Sequence, residues 1–94
     1  MNDNKLEELL EAIKSYLDYT WEDTARDVRL KSYISSSYQY LQEVANSNSL
    51  DLDEDLLARE LLFNRVLYMD SKALDDFQSN YNGMLNELRI KYAC

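Results

Sequence analysis

The sequence predicts an all-α fold, and three observations carry that expectation. Proline is absent and glycine occurs once in 94 residues, so long helices meet almost no breakers. Apolar side chains recur at helical spacing through four successive segments. Short clusters of Asn, Ser, Asp and Thr separate those segments, and such residues start and stop helices by bonding to free backbone groups. The expected architecture is a single domain over residues 1–94, a small bundle of about four helices packed around a central apolar helix at about residues 53–69.

The first helix is expected from about Lys5 to Tyr19, because Leu6, Leu9, Leu10, Ile13 and Leu17 fall on one stripe. Asn4 followed by Glu7 has the spacing of a capping box. Thr20-Trp21-Glu22-Asp23 breaks the pattern and places a turn, with Trp21 folded over the corner as a core residue. The second helix should begin between Asp23 and Ala25 and run to about Ala45. Leu30, Ile34, Leu41, Val44 and Ala45 form its core stripe, with Ser37 as a small residue in the middle. Asn46-Ser47-Asn48-Ser49 is the clearest loop, and Asn46 suits the left-handed position that ends a helix.

The central helix follows. Its leading acids Asp51, Asp53, Glu54 and Asp55 favour the positive end of a helix dipole, with Asp53 or Asp51 as the N-cap. Leu56, Leu57, Ala58, Leu61, Leu62, Phe63, Val66, Leu67 and Met69 leave only a thin polar stripe, so cover on several sides is expected. Asp55 and Arg59 have the spacing of an i,i+4 ion pair. Asp70-Ser71 interrupts the pattern. The fourth helix carries Leu74, Phe77, Tyr81, Met84, Leu85 and Leu88, and Gly83 marks a place to bend or stop. Residues 89–94 read as a helix end or a flexible basic tail.

Eighteen acids against ten bases give a net charge of −8. Binding of nucleic acid through its phosphates is therefore not expected, since that affinity comes from Lys and Arg releasing counterions. A lone cysteine, Cys94, allows no intrachain disulfide, which fits a reducing compartment. The opening MNDNKLEELL has neither a basic nor an apolar leader region, and no apolar run approaches the ~20 residues that span a bilayer. A soluble protein without a membrane partner is expected.

Catalytic motifs fail one by one. Histidine is absent, which removes the commonest general base and metal ligand. Cys94 has no base to activate it, and one glycine cannot build a phosphate loop. Asp51-x-Asp53-x-Asp55 begins like a calcium loop, but its sixth and twelfth positions are Leu56 and Leu62 rather than glycine and glutamate. No enzyme activity, catalytic residue, cofactor or metal is expected. Tyrosine is enriched at protein interfaces, which singles out Tyr33, Tyr38 and Tyr40; Arg59 and Arg65, on an otherwise apolar helix, must reach a surface or a partner.

An ordered set of phrases also resembles a known family. It starts with Ile13-Lys14-Ser15-Tyr16-Leu17-Asp18 and Thr20-Trp21-Glu22-Asp23, then Tyr33-Ile34, Tyr40-Leu41 and Val44-Ala45. It continues with Leu57-Ala58-Arg59-Glu60-Leu61-Leu62-Phe63, Val66 and Tyr68, and ends with Ala73-Leu74, Phe77, Asn80-Tyr81, Leu85 and Leu88-Arg89. In order and spacing this is similar to the head–tail connector (adaptor, or DNA-packaging) proteins of long-tailed bacteriophages, along nearly the whole chain. The chain departs from the family in carrying Asn46 where relatives often have glycine, and in a short C-terminal stretch.

The resemblance implies an α-helical subunit that forms a homo-oligomeric ring on the phage portal protein after DNA packaging. Such a ring extends the DNA channel and docks the next neck or tail-completion protein, in a virion assembled in the bacterial cytoplasm. An acidic lumen lets DNA pass without gripping it or reading its sequence. A head-to-tail ring needs two different complementary faces, to which Tyr33, Tyr38, Tyr40, Arg59 and Arg65 are assigned; Arg89, Lys91 and Tyr92 are assigned to the portal or neck. The rival expectation from composition is a small acidic regulatory or inhibitor protein that occupies a basic partner or mimics DNA.

Overall fold

The computed structural model describes residues 2–16, 24–48 and 50–93. Among them are five helices and no strand: α1 (Asp3–Tyr16), α2 (Thr24–Ala45), α3 (Leu56–Asp70), α4 (Leu74–Asn80) and α5 (Asn82–Lys91). The all-α expectation holds. The turn at Thr20–Asp23, the corner role of Trp21 and the far end of helix one lie outside the described residues.

Leu9, Leu10 and Ile13 of α1 are buried against α2, as the stripe requires. The cap of α1 is Asn2 rather than Asn4, since the Asn2 side-chain oxygen accepts the Lys5 amide at 2.8 Å and the helix already runs at Asp3. Two ion pairs, Lys14 to Asp27 at 3.3 Å and Lys31 to Glu7, link α1 to α2 beside this apolar seam. Helix α2 buries Leu30, Ile34, Ser37, Leu41 and Ala45. It ends at Asn46, which adopts φ 53°. The Ser47 amide reaches the Gln42 carbonyl and the Asn46 amide the Glu43 carbonyl, closing the helix as a left-handed residue at that point should.

The same closure ends α3, with Lys72 at φ 59°, its amide on the Met69 carbonyl and the Ala73 amide on the Tyr68 carbonyl. Lysine gives no sequence signal for that conformation.

The start of the central helix differs from the expectation. Residues 51–55 form a turn, and α3 begins at Leu56 with Asp55 as its N-cap, accepting the Ala58 amide at 3.0 Å. Asp51 instead caps the turn, accepting the amides of Asp53 at 3.0 Å and Glu54 at 3.4 Å. Leu50 and Leu52 on either side are buried, so the loop is pinned to the core and the helix starts later. Arg59 pairs with Asp53 at 3.6 Å rather than with Asp55, whose carboxylate is engaged by α5.

Nor is α3 covered all round. It buries Ala58, Leu61, Leu62 and Val66, while Leu56 is 71% exposed. The molecule measures 43 × 28 × 17 Å, about two helix layers deep, so a helix in either layer keeps one side to solvent. The centre is shared: α2 lies against α1, α3 and α5, and α3 against α2, α4 and α5.

The fourth predicted helix is bent into α4 and α5 at Tyr81, two residues before Gly83. Backbone bonds cross the bend, from the Tyr81 amide to the Phe77 carbonyl and from the Leu85 amide to the Tyr81 carbonyl, both at 2.9 Å. The Tyr81 ring stacks on Phe77 at 5.1 Å and meets Tyr68 edge-on at 5.8 Å, and its hydroxyl donates to the Asn64 side chain at 3.0 Å. The bend thus falls at the aromatic side chain that ties the two helices to α3, while Gly83 sits in the first turn of α5 with open space around it. Beyond Leu88 the chain stays helical to Lys91.

Candidate functional site

Two clusters of polar side chains join separate elements, and they divide the sequence-selected residues between them. The first lies where α2, α3 and α4 meet. Arg65 leaves the middle of the buried side of α3 and lays its guanidinium over the Tyr40 ring of α2 at 4.4 Å. Its Nη1 donates to the Ser37 hydroxyl at 3.0 Å and contacts the Met69 sulfur at 3.4 Å. The Ser37 hydroxyl in turn points at that sulfur at 3.6 Å, and the Tyr40 hydroxyl donates to the Gln78 side chain of α4 at 2.8 Å.

The partners of Arg65 are neutral, and it forms no ion pair among the described residues. Burial draws the guanidinium below its ordinary value, yet it remains a cation at any pH where the protein folds. A stacked, hydrogen-bonded guanidinium has little conformational freedom left to lose when an anion docks on its remaining donors. Neither Nε nor Nη2 has a hydrogen-bond partner among the described residues, and the Arg65 side chain is only half-buried.

The second cluster closes the opposite end of α3. Asp55, with its side chain 5% exposed, accepts the Ala58 amide, the Tyr92 hydroxyl at 2.5 Å and the Lys91 ammonium at 3.1 Å. Burial pushes the Asp55 carboxyl up, but the Tyr92 hydroxyl, the Ala58 amide and Lys91 outweigh it and hold it below the usual carboxylate value. The bond to Asp55, with burial and the nearby charges of Asp55 and Asp51, drives the Tyr92 hydroxyl up to about 12. The last turn of α5 is therefore clamped to the first turn of α3.

The remaining selected residues lie apart from these clusters. Tyr33 is half-buried against the core, and the Tyr38 hydroxyl donates to the Leu50 carbonyl at 2.8 Å, tying down the loop before α3. Arg89 is exposed and, among the described residues, reaches only Asn86, at 2.6 Å. Arg59 lies over the Phe63 ring at 5.0 Å, on the uncovered side of α3. There Leu56, Phe63 and Leu67, with Tyr16 of α1, line a shallow apolar groove whose rim carries Arg59 and Glu60.

Sequence reasoning singled out Tyr40 and Arg65 separately but missed that they stack. The spacing of residues on different helices carries no signal of such contacts. Ser37 entered only as a small core residue, although its hydroxyl orients Arg65; Asp55 entered as one of a row of acids. A serine inside an apolar stripe and a carboxylate one step before a helix were the available hints.

Among the described residues no group of three or more His, Cys, Asp or Glu could hold a metal ion, and no helix is long and apolar enough to cross a membrane. Comparison with known proteins adds no relative: no family model, no curated protein and no solved structure matches the chain.

Proposed function

We propose that this chain is a structural subunit of a phage head–tail connector, assembling as a ring on the portal protein, extending the DNA channel and presenting a docking surface to the next neck or tail protein. The observation that carries the reading is the ordered set of connector-like phrases from Ile13 to Arg89. Two further features support it. The negative charge suits a passage for DNA that must not be gripped. Helix α3 also offers different chemistry on its two sides, an apolar groove at Leu56, Phe63 and Leu67 and a cation at Arg65. A ring closed by head-to-tail contacts needs such unlike faces, whereas a two-fold dimer uses one face twice. In this reading the protein acts at the head–tail junction of the virion and performs no catalysis.

The test is to mix the protein with the portal of its phage and image the particles. The expected result is a crown of added density at one end of the portal channel. An unchanged portal at saturating protein would contradict the proposal. Salt-sensitive binding to a basic protein instead would favour an acidic inhibitor.

A further inference from the structure

Resting on the ring reading, we infer that Arg65 is the socket of the subunit contact and that it receives the Glu60 carboxylate of a second copy of this chain. Acids outnumber bases eighteen to ten, so a base has many carboxylates to choose from, and Lys5, Lys14, Arg26, Lys31, Arg59 and Lys91 are all paired with one. Arg65 is not; Arg29, Lys72 and Arg89 also lack an ion pair among the described residues, but they are exposed, whereas Arg65 is half-buried and held by neutral groups, the Tyr40 ring, the Ser37 hydroxyl and the Met69 sulfur. Holding a guanidinium partly out of water without an anion costs free energy that a partner's carboxylate would offset. Only Nη1 of the flat fork is bonded among the described residues, and the edge formed by Nε and Nη2 matches a carboxylate.

The choice of Glu60 comes from the geometry of α3. At about 100° per residue, Leu56, Glu60, Phe63 and Leu67 share one side of the helix, and Arg65 leaves from the other. Glu60 is exposed, forms no ion pair among the described residues, and stands on the rim of the apolar groove. A contact that lays this groove on the Arg65–Tyr40 side of the next copy buries Leu56 and Phe63 and brings Glu60 to the unpaired guanidinium. The same contact repeats from copy to copy, because each subunit carries the acid on one side and the socket on the other. An ion pair beside apolar surface is partly shielded from water, where such pairs fix register and resist salt better than at an open rim.

A double-mutant cycle tests the pairing. Glu60→Gln, Arg65→Gln and the double variant are compared with the wild type by sedimentation over a concentration series, with helix content checked by circular dichroism. Each single change is expected to raise the concentration needed for assembly about tenfold or more, and the double variant to be little worse than either single. Wild-type assembly with unchanged singles would overturn the socket and leave the ring standing. Fully additive losses would overturn the pairing of these two residues. A wild type that stays monomeric throughout, both alone and with portal added, would overturn the ring reading and the second copy together. If Arg65→Gln fails to fold, Glu60→Lys decides, since that side chain lies on the surface: assembly equal to wild type would rule the contact out, and assembly lost at unchanged helix content would support it.

Discussion

Phe77→Ala should destabilise the fold by about 3–5 kcal/mol, the cost of emptying a fully buried aromatic site. Phe77 is 1% exposed, stacks on Tyr81 at 5.1 Å and meets Tyr68 edge-on at 5.9 Å. Its loss removes buried area and two ring contacts, each worth about 0.5–1.5 kcal/mol beyond that area. The three rings join α3 to the bend between α4 and α5, so surrounding side chains cannot close the gap without moving a helix. Against a total of roughly 5–14 kcal/mol for a chain of this length, that is a large fraction. Urea denaturation gives the check, with Leu56→Ala as the comparison, since that exposed side chain should change stability by no more than about 0.5 kcal/mol. A Phe77→Ala midpoint close to the wild type would mean that the trio does not hold the α4–α5 bend.

Asp55→Ala should cost about 2–4 kcal/mol at neutral pH. The N-cap bond to Ala58 accounts for about 0.5–2 kcal/mol, and the Tyr92 hydroxyl stripped of its acceptor for about 1–3 kcal/mol. The pH dependence follows from the directions of the two shifts. Because the folded Asp55 carboxyl titrates below its unfolded value, its contribution is complete above about pH 4 and is lost as acid protonates the folded form. Because the Tyr92 hydroxyl is raised to about 12, its contribution is complete below about pH 10 and is lost as the pH climbs toward that value. Asp55→Asn keeps a capping oxygen but cannot titrate. Its urea midpoint should therefore fall less steeply than the wild type's between about pH 5 and 3. Parallel profiles for the two proteins would remove Asp55 from the acid response.

Much of the fold was legible because helical periodicity is local. Leu9, Leu10 and Ile13, then Leu30, Ile34 and Leu41, then Phe77, Leu85 and Leu88 all point inward as their spacing requires. Asn46 takes the left-handed conformation expected of it, because an asparagine ahead of polar loop residues is a local signal too. What failed depended on distant partners. Three aspartates at alternate positions look alike in sequence, and only Tyr92 and Lys91, some forty residues on, single out Asp55. The bend falls at Tyr81 rather than Gly83 because the tyrosine finds Asn64 and Phe77 as partners while the glycine has none. The cover expected around α3 is missing on one side because two helix layers cannot enclose it. Arg65 was conspicuous as a charge on an apolar helix, but its neutral surroundings become visible only when α2 is laid beside α3.

The most direct measurement is the absolute mass of the protein in solution over a concentration series, with and without portal, together with negative-stain images of the largest species. Closed rings of many copies are expected, formed alone at high concentration and at lower concentration on the portal. A stable dimer with no larger species, or a monomer at every concentration with portal present, would contradict the ring reading.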